Sequence, residues 1–263
     1  MNQGEMDELY LKMVLVHMRD HGTQGIGPFK LVSQVGSGAY EYREIPSDIS
    51  LRDIETSYRF STPLDLGRVL NYTRIAKAPT DLKSDVYING KGYSVKSFSS
   101  APPAIVNHTA RPGFETACKH MNMNIAVLDK LVEEYWMLRS AGKIREDVKN
   151  KDPLSPFRNA RQVFEPLLHY FLFLGTGQGL SAYPADFILD YIEPVSPYTW
   201  KVLSPHNVLD AIWHRLVFSI RAKKGMPSNY PNISDMSKKN SIEKWTRQFQ
   251  GEYRGALHIR VGT

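Results

Sequence analysis

Cysteine is almost absent from this chain: Cys118 is the single one among 263 residues. It cannot close an intramolecular disulfide or supply a cysteine-rich zinc cluster, which excludes the disulfide scaffolds of small secreted domains and the zinc-finger folds together. A reducing compartment is expected. Long apolar runs are missing too. No stretch approaches the roughly eighteen uninterrupted apolar residues of a membrane span, and segment 1–7 is polar and acidic, without the basic start and apolar run of a signal peptide. The expectation is a cytoplasmic protein with no membrane partner. Internal repeats and low-complexity blocks are lacking. Neither sign of charge dominates: 33 Lys plus Arg against 27 Asp plus Glu leave a formal +6 at pH 7, which permits an anionic partner without naming one.

What is present is ordinary globular composition, 42% hydrophobic and 23% charged, in a length that suits one large domain or two modest ones. A single domain over 1–263 is expected, with a possible subdomain boundary in the charged stretch 142–158, which contains Asp152-Pro153 and Ser155-Pro156. Apolar spacing predicts helices over 5–20, 62–77, within 113–138, over 163–174 and over 208–220. In the second of these, Thr62 is placed to cap and Pro63 to occupy the first turn. Segment 23–59 reads as loops with one or two strands, and 187–192, 199–203 and 257–261 read as strands. The sharpest local signal is Asn89-Gly90, a dipeptide suited to a tight hairpin, between the strand-like runs 84–88 and 92–98.

The same hairpin carries the chemistry. Residues two apart in a strand share a face, so the pleat can bring Asp85, Ser94 and Lys96 together. A carboxylate beside an ammonium suits phosphodiester hydrolysis: the acid can hold a divalent cation, and the ammonium can orient the attacking water or stabilise charge accumulating on the phosphate. Magnesium is the expected ion, and because it takes one or two carboxylates along with phosphate oxygens, a second oxygen ligand is expected beside Asp85. Segment 97–111 adds Ser99, Ser100, Asn107, His108 and Arg111, donors able to meet phosphates or base edges. Arg221, Lys223 and Lys224 open the most basic region of the chain and would meet the DNA backbone.

Ser84-Asp85 followed across a hairpin by Ser94-Val95-Lys96 resembles the PD-(D/E)xK nuclease superfamily, and within it the type II restriction endonucleases. The resemblance covers roughly 64–120. It implies an α/β fold with a restriction-endonuclease-like core, a mixed central sheet flanked by helices. It also implies magnesium-dependent, sequence-specific hydrolysis of double-stranded DNA within a restriction-modification system, by a homodimer. Asp85 and Lys96 would be the catalytic pair, with Asp85 and the Val95 carbonyl on the metal. Two positions depart from the family pattern: Ser84 stands where proline is customary, and Ser94 where the second acid is usual. Some restriction enzymes with a serine at that place carry the missing carboxylate on the following helix, which makes Glu115 the expected second catalytic acid and metal ligand, with Asp81, Glu55 or Asp65 as substitutes. The other functions considered are a repair nuclease of the same superfamily, a non-catalytic DNA-binding protein, and a protein-interaction domain.

Each residue also has a plainer role open to it. Asp85 and Lys96 fit a cross-strand ion pair on a solvated face, worth no more than about 1 kcal/mol; Glu115 fits an acid at a helix N-terminus; His108 fits a hydrogen-bonded loop histidine. Segment 35–40 has the glycines of a kinase loop without any further kinase motif. Segment 175–179 follows an apolar helix instead of preceding one and reads as its terminating turn. His17 and His21 have zinc-compatible spacing and no accompanying ligand motif.

Overall fold

A computed structural model describes residues 1–22, 27–61, 64–98, 104–222 and 225–262 of the chain. They fold as two compact units, Met1–Ala101 with Ser181–Pro205, and Pro102–Leu180 with His206–Thr263. The division therefore falls elsewhere than 142–158. That stretch lies inside the second unit, because the apolar residues among its charges, Ile144 and Val148, are buried and Val148 pairs in a sheet.

The chain opens with α1 (Gln3–His21), started by a capping box between Asn2 and Glu5 and ended by Gly22 at φ 61. Its side chains from Asp7 through Val16 are all buried, so this is a central helix and not a surface one. After β1 (Val35–Gly36) comes α2 (Leu51–Phe60), a helix within the stretch expected to be loop and strand. Its signal was local: Ser50 and Asp53 make a second capping box. Next, α3 (Leu66–Thr73) is shorter than the expected 62–77 and starts at an Asp65 cap, while Thr62 and Pro63 lie outside the described residues. The hairpin is β2 (Val86–Ile88) and β3 (Lys91–Lys96).

Beyond it, β4 (Ala104–Ala110) takes the place of the expected polar loop, α4 (Arg111–His120) and α5 (Ala126–Ser140) fill the predicted helical region, and β5 (Val148–Lys149) follows. The apolar 163–174 stretch is α6 (Arg161–His169) running into a π-helical turn, Tyr170–Leu174. The short hairpin β6 (Gly175–Thr176) and β7 (Gly179–Leu180) ends it, as the turn reading of these glycines anticipated. Strands β8 (Phe187–Asp190) and β9 (Lys201–Leu203) belong to the first unit. The chain finishes with α7 (Pro205–Ile212), β10 (Leu216–Arg221), α8 (Met236–Glu243), β11 (Arg247–Phe249), β12 (Glu252–Arg254) and β13 (Ala256–Val261). The helix expected over 208–220 thus stops at Ile212. From Leu216 through Ile220 the span is instead a strand buried at every position, and a short apolar run of this kind suits a strand between two neighbours as well as a helix.

In the first unit the sheet order is β1-β2-β3-β8-β9. Every pairing is antiparallel except that of β3 with β8, which is parallel and sets Lys96 opposite Asp190. The sheet is mixed, as expected, and β3 is its central strand. Side chains of α1 join Val86, Ile88, Tyr93, Val95 and Leu189 in one buried cluster. The second unit has its own four-stranded antiparallel sheet, β4-β13-β10-β5. Among the described residues no helix is long and apolar enough to cross a membrane.

Candidate active site

Turn chemistry sets the register of the site. Ile88 and Lys91 close a two-residue loop in which Asn89 and Gly90 both have positive φ, 51 and 77, as a type I′ turn requires. The Asn89 side chain fixes the neighbouring loop as well: its oxygen accepts from the N–H groups of Ser33 at 2.8 Å and Gln34 at 3.1 Å, and its amide donates to the Leu31 carbonyl at 2.7 Å. With the hairpin locked, Val86 pairs with Tyr93, and Asp85 sits one step past the end of β2.

There the Asp85 carboxylate takes over from the missing strand. Its Oδ2 accepts the Val95 N–H at 2.6 Å and the Ser94 hydroxyl at 3.2 Å, and the Lys96 ammonium stands 3.5 Å away. The structure therefore brings together Asp85, Ser94, Val95 and Lys96. The side chains of Asp85 and Lys96 are 17% and 31% exposed, which is far from a freely solvated pair.

Further residues of the first unit bear on this group: Glu8 with Lys12, Lys83, and Asp190. Glu8 on α1 is buried, and its Oε1 accepts from Lys12 Nζ at 2.5 Å and from the Ala78 N–H at 2.8 Å. Burial raises its pKa above the usual carboxylate value; the Lys12 charge opposes that shift, and the Asp85 charge adds to it. Glu8 and Asp85 are thus neighbouring acids. Lys83, just ahead of Asp85, is pushed down to about 8 by burial and then by the Lys96 charge. The register also places Asp190 beside Lys96 on one face, where its Oδ1 accepts the Phe98 N–H at 3.0 Å. Sequence reasoning missed Glu8, Lys12, Lys83 and Asp190. The available signals were the Glu8 and Lys12 charges four apart among apolar residues, and the lone acid ending the apolar run Phe187-Ile188-Leu189.

Glu115 lies in the second unit and its carboxylate is engaged at both oxygens, by the Arg111 guanidinium and by the Ser241 hydroxyl at 2.7 Å. Within the first unit, Glu8 is the acid whose charge is felt together with that of Asp85. Of the substitutes, Asp65 caps α3 and Glu55 pairs with Arg59 at 3.8 Å; Asp81 is exposed. Arg111 is also displaced from its expected DNA-facing role: it is 3% exposed and grips Asp129 bidentately at 2.7 and 2.8 Å. Arg221 is neutralised by Glu146 at 2.7 Å and Asp147 at 2.6 Å. Asn107 and His108 are on β4, hydrogen-bonded to each other at 2.8 Å, and the His108 ring stacks on His258 at 4.3 Å. Ser99, Ser100, Lys223 and Lys224 fall outside the described residues. His17 and His21 stack on each other at 4.0 Å, and the glycines of 35–40 form a tight turn closed by a bridge from Gly36 to Glu41.

Chemically, the group around Asp85 offers two carboxylates, a backbone carbonyl and an ammonium, all on or against a rigid central strand. Among the described residues no three His, Cys, Asp or Glu side chains converge on one point. No protein-family model, curated protein or solved structure matches the chain.

Proposed function

We propose that this protein is a magnesium-dependent endonuclease of double-stranded DNA, of the type II restriction kind, built on a restriction-endonuclease-like core and acting as a homodimer on a short, roughly symmetric site. The observation that carries this reading is the Asp85 carboxylate held against Ser94, Val95 and Lys96 at the centre of a mixed sheet, with the buried Glu8 within reach of its charge. A structural ion pair on a solvated face would need no second buried acid. Gathering Glu8, Lys83 and Lys12 around Asp85 and Lys96 costs desolvation, which a fold retains where the charges have work to perform.

The donor set fits the ion. Asp85, Glu8 and the Val95 carbonyl are all hard oxygen donors, and a divalent cation would offset the burial and mutual repulsion that hold Glu8 above its ordinary pKa. When bound, magnesium supplies Lewis-acid polarisation of the phosphate and a water whose pKa falls from about 15.7 toward neutrality. The chain supplies positioning. The Val95 N–H and Ser94 hydroxyl aim the Asp85 carboxylate, Lys12 and the Ala78 N–H aim Glu8, and Lys96 orients the attacking water and meets charge developing on the phosphate.

Incubation with a long sequenced duplex in magnesium, followed by mapping of the ends, tests this directly. Discrete ends at a repeated site are expected. Lys96→Ala and Asp85→Asn should each reduce cleavage by about 10²-fold or more while leaving DNA binding in place. Absence of any scission in magnesium or manganese across many sequences, with salt-sensitive binding retained, would replace the enzyme with a non-catalytic DNA-binding protein; dispersed or damage-directed cuts would select a repair nuclease.

A further inference from the structure

The second unit carries a groove of roughly 800 Å³ lined by residues of 142–153 together with Val217 and Arg260. Burial alternates along this segment. Ile144, Val148 and Asn150 are buried, while Lys143, Arg145, Lys149 and Lys151 are exposed. Pairing of Val148 with Phe218 and of Lys149 with Val217 holds the segment in place at the sheet edge.

The ion pairs decide what this surface presents. The acids of the segment are taken by arginines of the neighbouring strands: Glu146 by Arg221 and Arg254, and Asp147 by Arg221 and Arg260. Asp152 accepts the Leu154 N–H at 2.9 Å. Among the described residues, Lys143, Arg145, Lys149 and Lys151 have no ion pair. A charged face serving only solubility would mix both signs evenly; here Glu146 and Asp147 are taken by arginines, and four cations against the one remaining carboxylate, Asp152, are left facing one groove. The lining offers no exposed aromatic or large aliphatic anchor, which an anionic membrane surface would call for. A row of unspent cations in a concavity suits a regular polyanion, whose bound counterions are released on association.

We propose that this groove binds the sugar-phosphate backbone of duplex DNA through Lys143, Arg145, Lys149 and Lys151. This site goes beyond the cleavage reading and does not depend on it. The test is equilibrium binding of the full chain to a fluorescent duplex in EDTA over a range of salt, comparing wild type with the quadruple variant Lys143→Gln/Arg145→Gln/Lys149→Gln/Lys151→Gln. If each cation meets a phosphate, the slope of log affinity against log salt falls by up to about 3.6, at about 0.9 per contact, with Lys149→Gln alone losing about 0.9. The paired variants Lys143→Gln/Arg145→Gln and Lys149→Gln/Lys151→Gln give the same reading should the quadruple one fail to fold. An unchanged slope and affinity in folded variants overturns the proposal, and so does a loss seen only on phosphatidylserine vesicles. A chain that binds through this groove and never cuts sinks the nuclease reading and keeps this one; a chain that cuts with an unchanged slope does the reverse.

Discussion

Lys12→Met is the substitution the first unit should tolerate least. Lys12 is fully buried, with its ammonium on Glu8 at 2.5 Å and on the Ala76 carbonyl at 2.8 Å. The Glu8 side chain is only 11% exposed, so the variant leaves a carboxylate in the interior with the Ala78 N–H as its remaining hydrogen-bond donor. Removing one partner of a buried pair costs about 3–5 kcal/mol, a large part of a typical stability of about 5–15 kcal/mol. For a chain of this size the loss corresponds to a fall in Tm on the order of 6–20 °C. The pH dependence has a definite sign. Burial already raises the Glu8 pKa above 4.5, and loss of the opposing Lys12 charge raises it further. A carboxyl with a raised folded-state pKa takes up a proton on folding, so its penalty is absent below the unfolded value and grows as pH rises through the folded one. The deficit of the variant is therefore greatest at neutral pH and shrinks as pH approaches 4.5. Urea unfolding of both proteins at neutral and mildly acidic pH measures it, and Glu8→Gln/Lys12→Met, which removes the orphaned charge, should recover much of the loss. A deficit below about 1 kcal/mol, or one equal at both pH values, would show that Glu8 and Lys12 are not a buried pair.

Two further outcomes test the second unit. Arg111→Met should destabilise it by about 3–5 kcal/mol, because Asp129 and Glu115 lose their shared guanidinium, and should leave the salt slope of DNA binding unchanged in the protein that remains folded; a changed slope would return Arg111 to the DNA-facing role its sequence position suggested. His258 is pushed down to about 4 by burial and then by the His108 charge, and its Nδ1 lacks a hydrogen-bond partner. The unfolded chain therefore binds more protons between about 4 and the ordinary imidazole value of 6.5, so stability should fall as pH drops through that window. His258→Phe should flatten this acid limb in chemical unfolding followed at several pH values, and an unaltered limb would place the titrating group elsewhere.

The hairpin was legible because everything that makes it is local. Asn89-Gly90 supplies the positive φ angles and the alternation on either side sets the faces, so the meeting of Asp85, Ser94 and Lys96 follows from thirteen consecutive positions, 84–96. Glu8 was not legible by the same means. Nothing near it in the chain marks which side of α1 meets β2 and β3, and its acidity reads equally well as complementing the helix dipole. Glu115 was chosen for its nearness in sequence to Lys96, and what that choice could not show is that the fold engages its carboxylate with Arg111 and Ser241. Over 216–220 the failure was of periodicity, since a short run buried throughout has no solvent-facing side to distinguish a period of two from one of 3.6. The stretch 142–158 has the composition of a linker, yet its buried apolar residues Ile144, Val148 and Phe157 tie it into a folded unit.

Charge divides along the same line between what is local and what is not. A guanidinium presents a rigid fork that matches carboxylates, whereas an ammonium is a point charge on a flexible stem. In the second unit Arg111, Arg221 and Arg254 each hold two acids, and Arg260 holds one. Arg111 and Arg221 stood out in the sequence as candidates for a polyanion, but their charge is spent within the fold. The cations that remain for a partner are mostly lysines scattered through a segment with no basic run: Lys143, Lys149 and Lys151, with Arg145. In the first unit the arrangement is different: Lys12 meets Glu8, Lys96 meets Asp85 with Asp190 opposite it in register, and Lys83 feels the charges of Lys96 and Asp85. A surplus of +6 could have been spread thinly over the surface. Its collection around half-buried carboxylates and along one groove is the ground on which phosphate chemistry is proposed, and under that proposal neutralisation of lysines, more than of the paired arginines, is the perturbation to which DNA binding should respond.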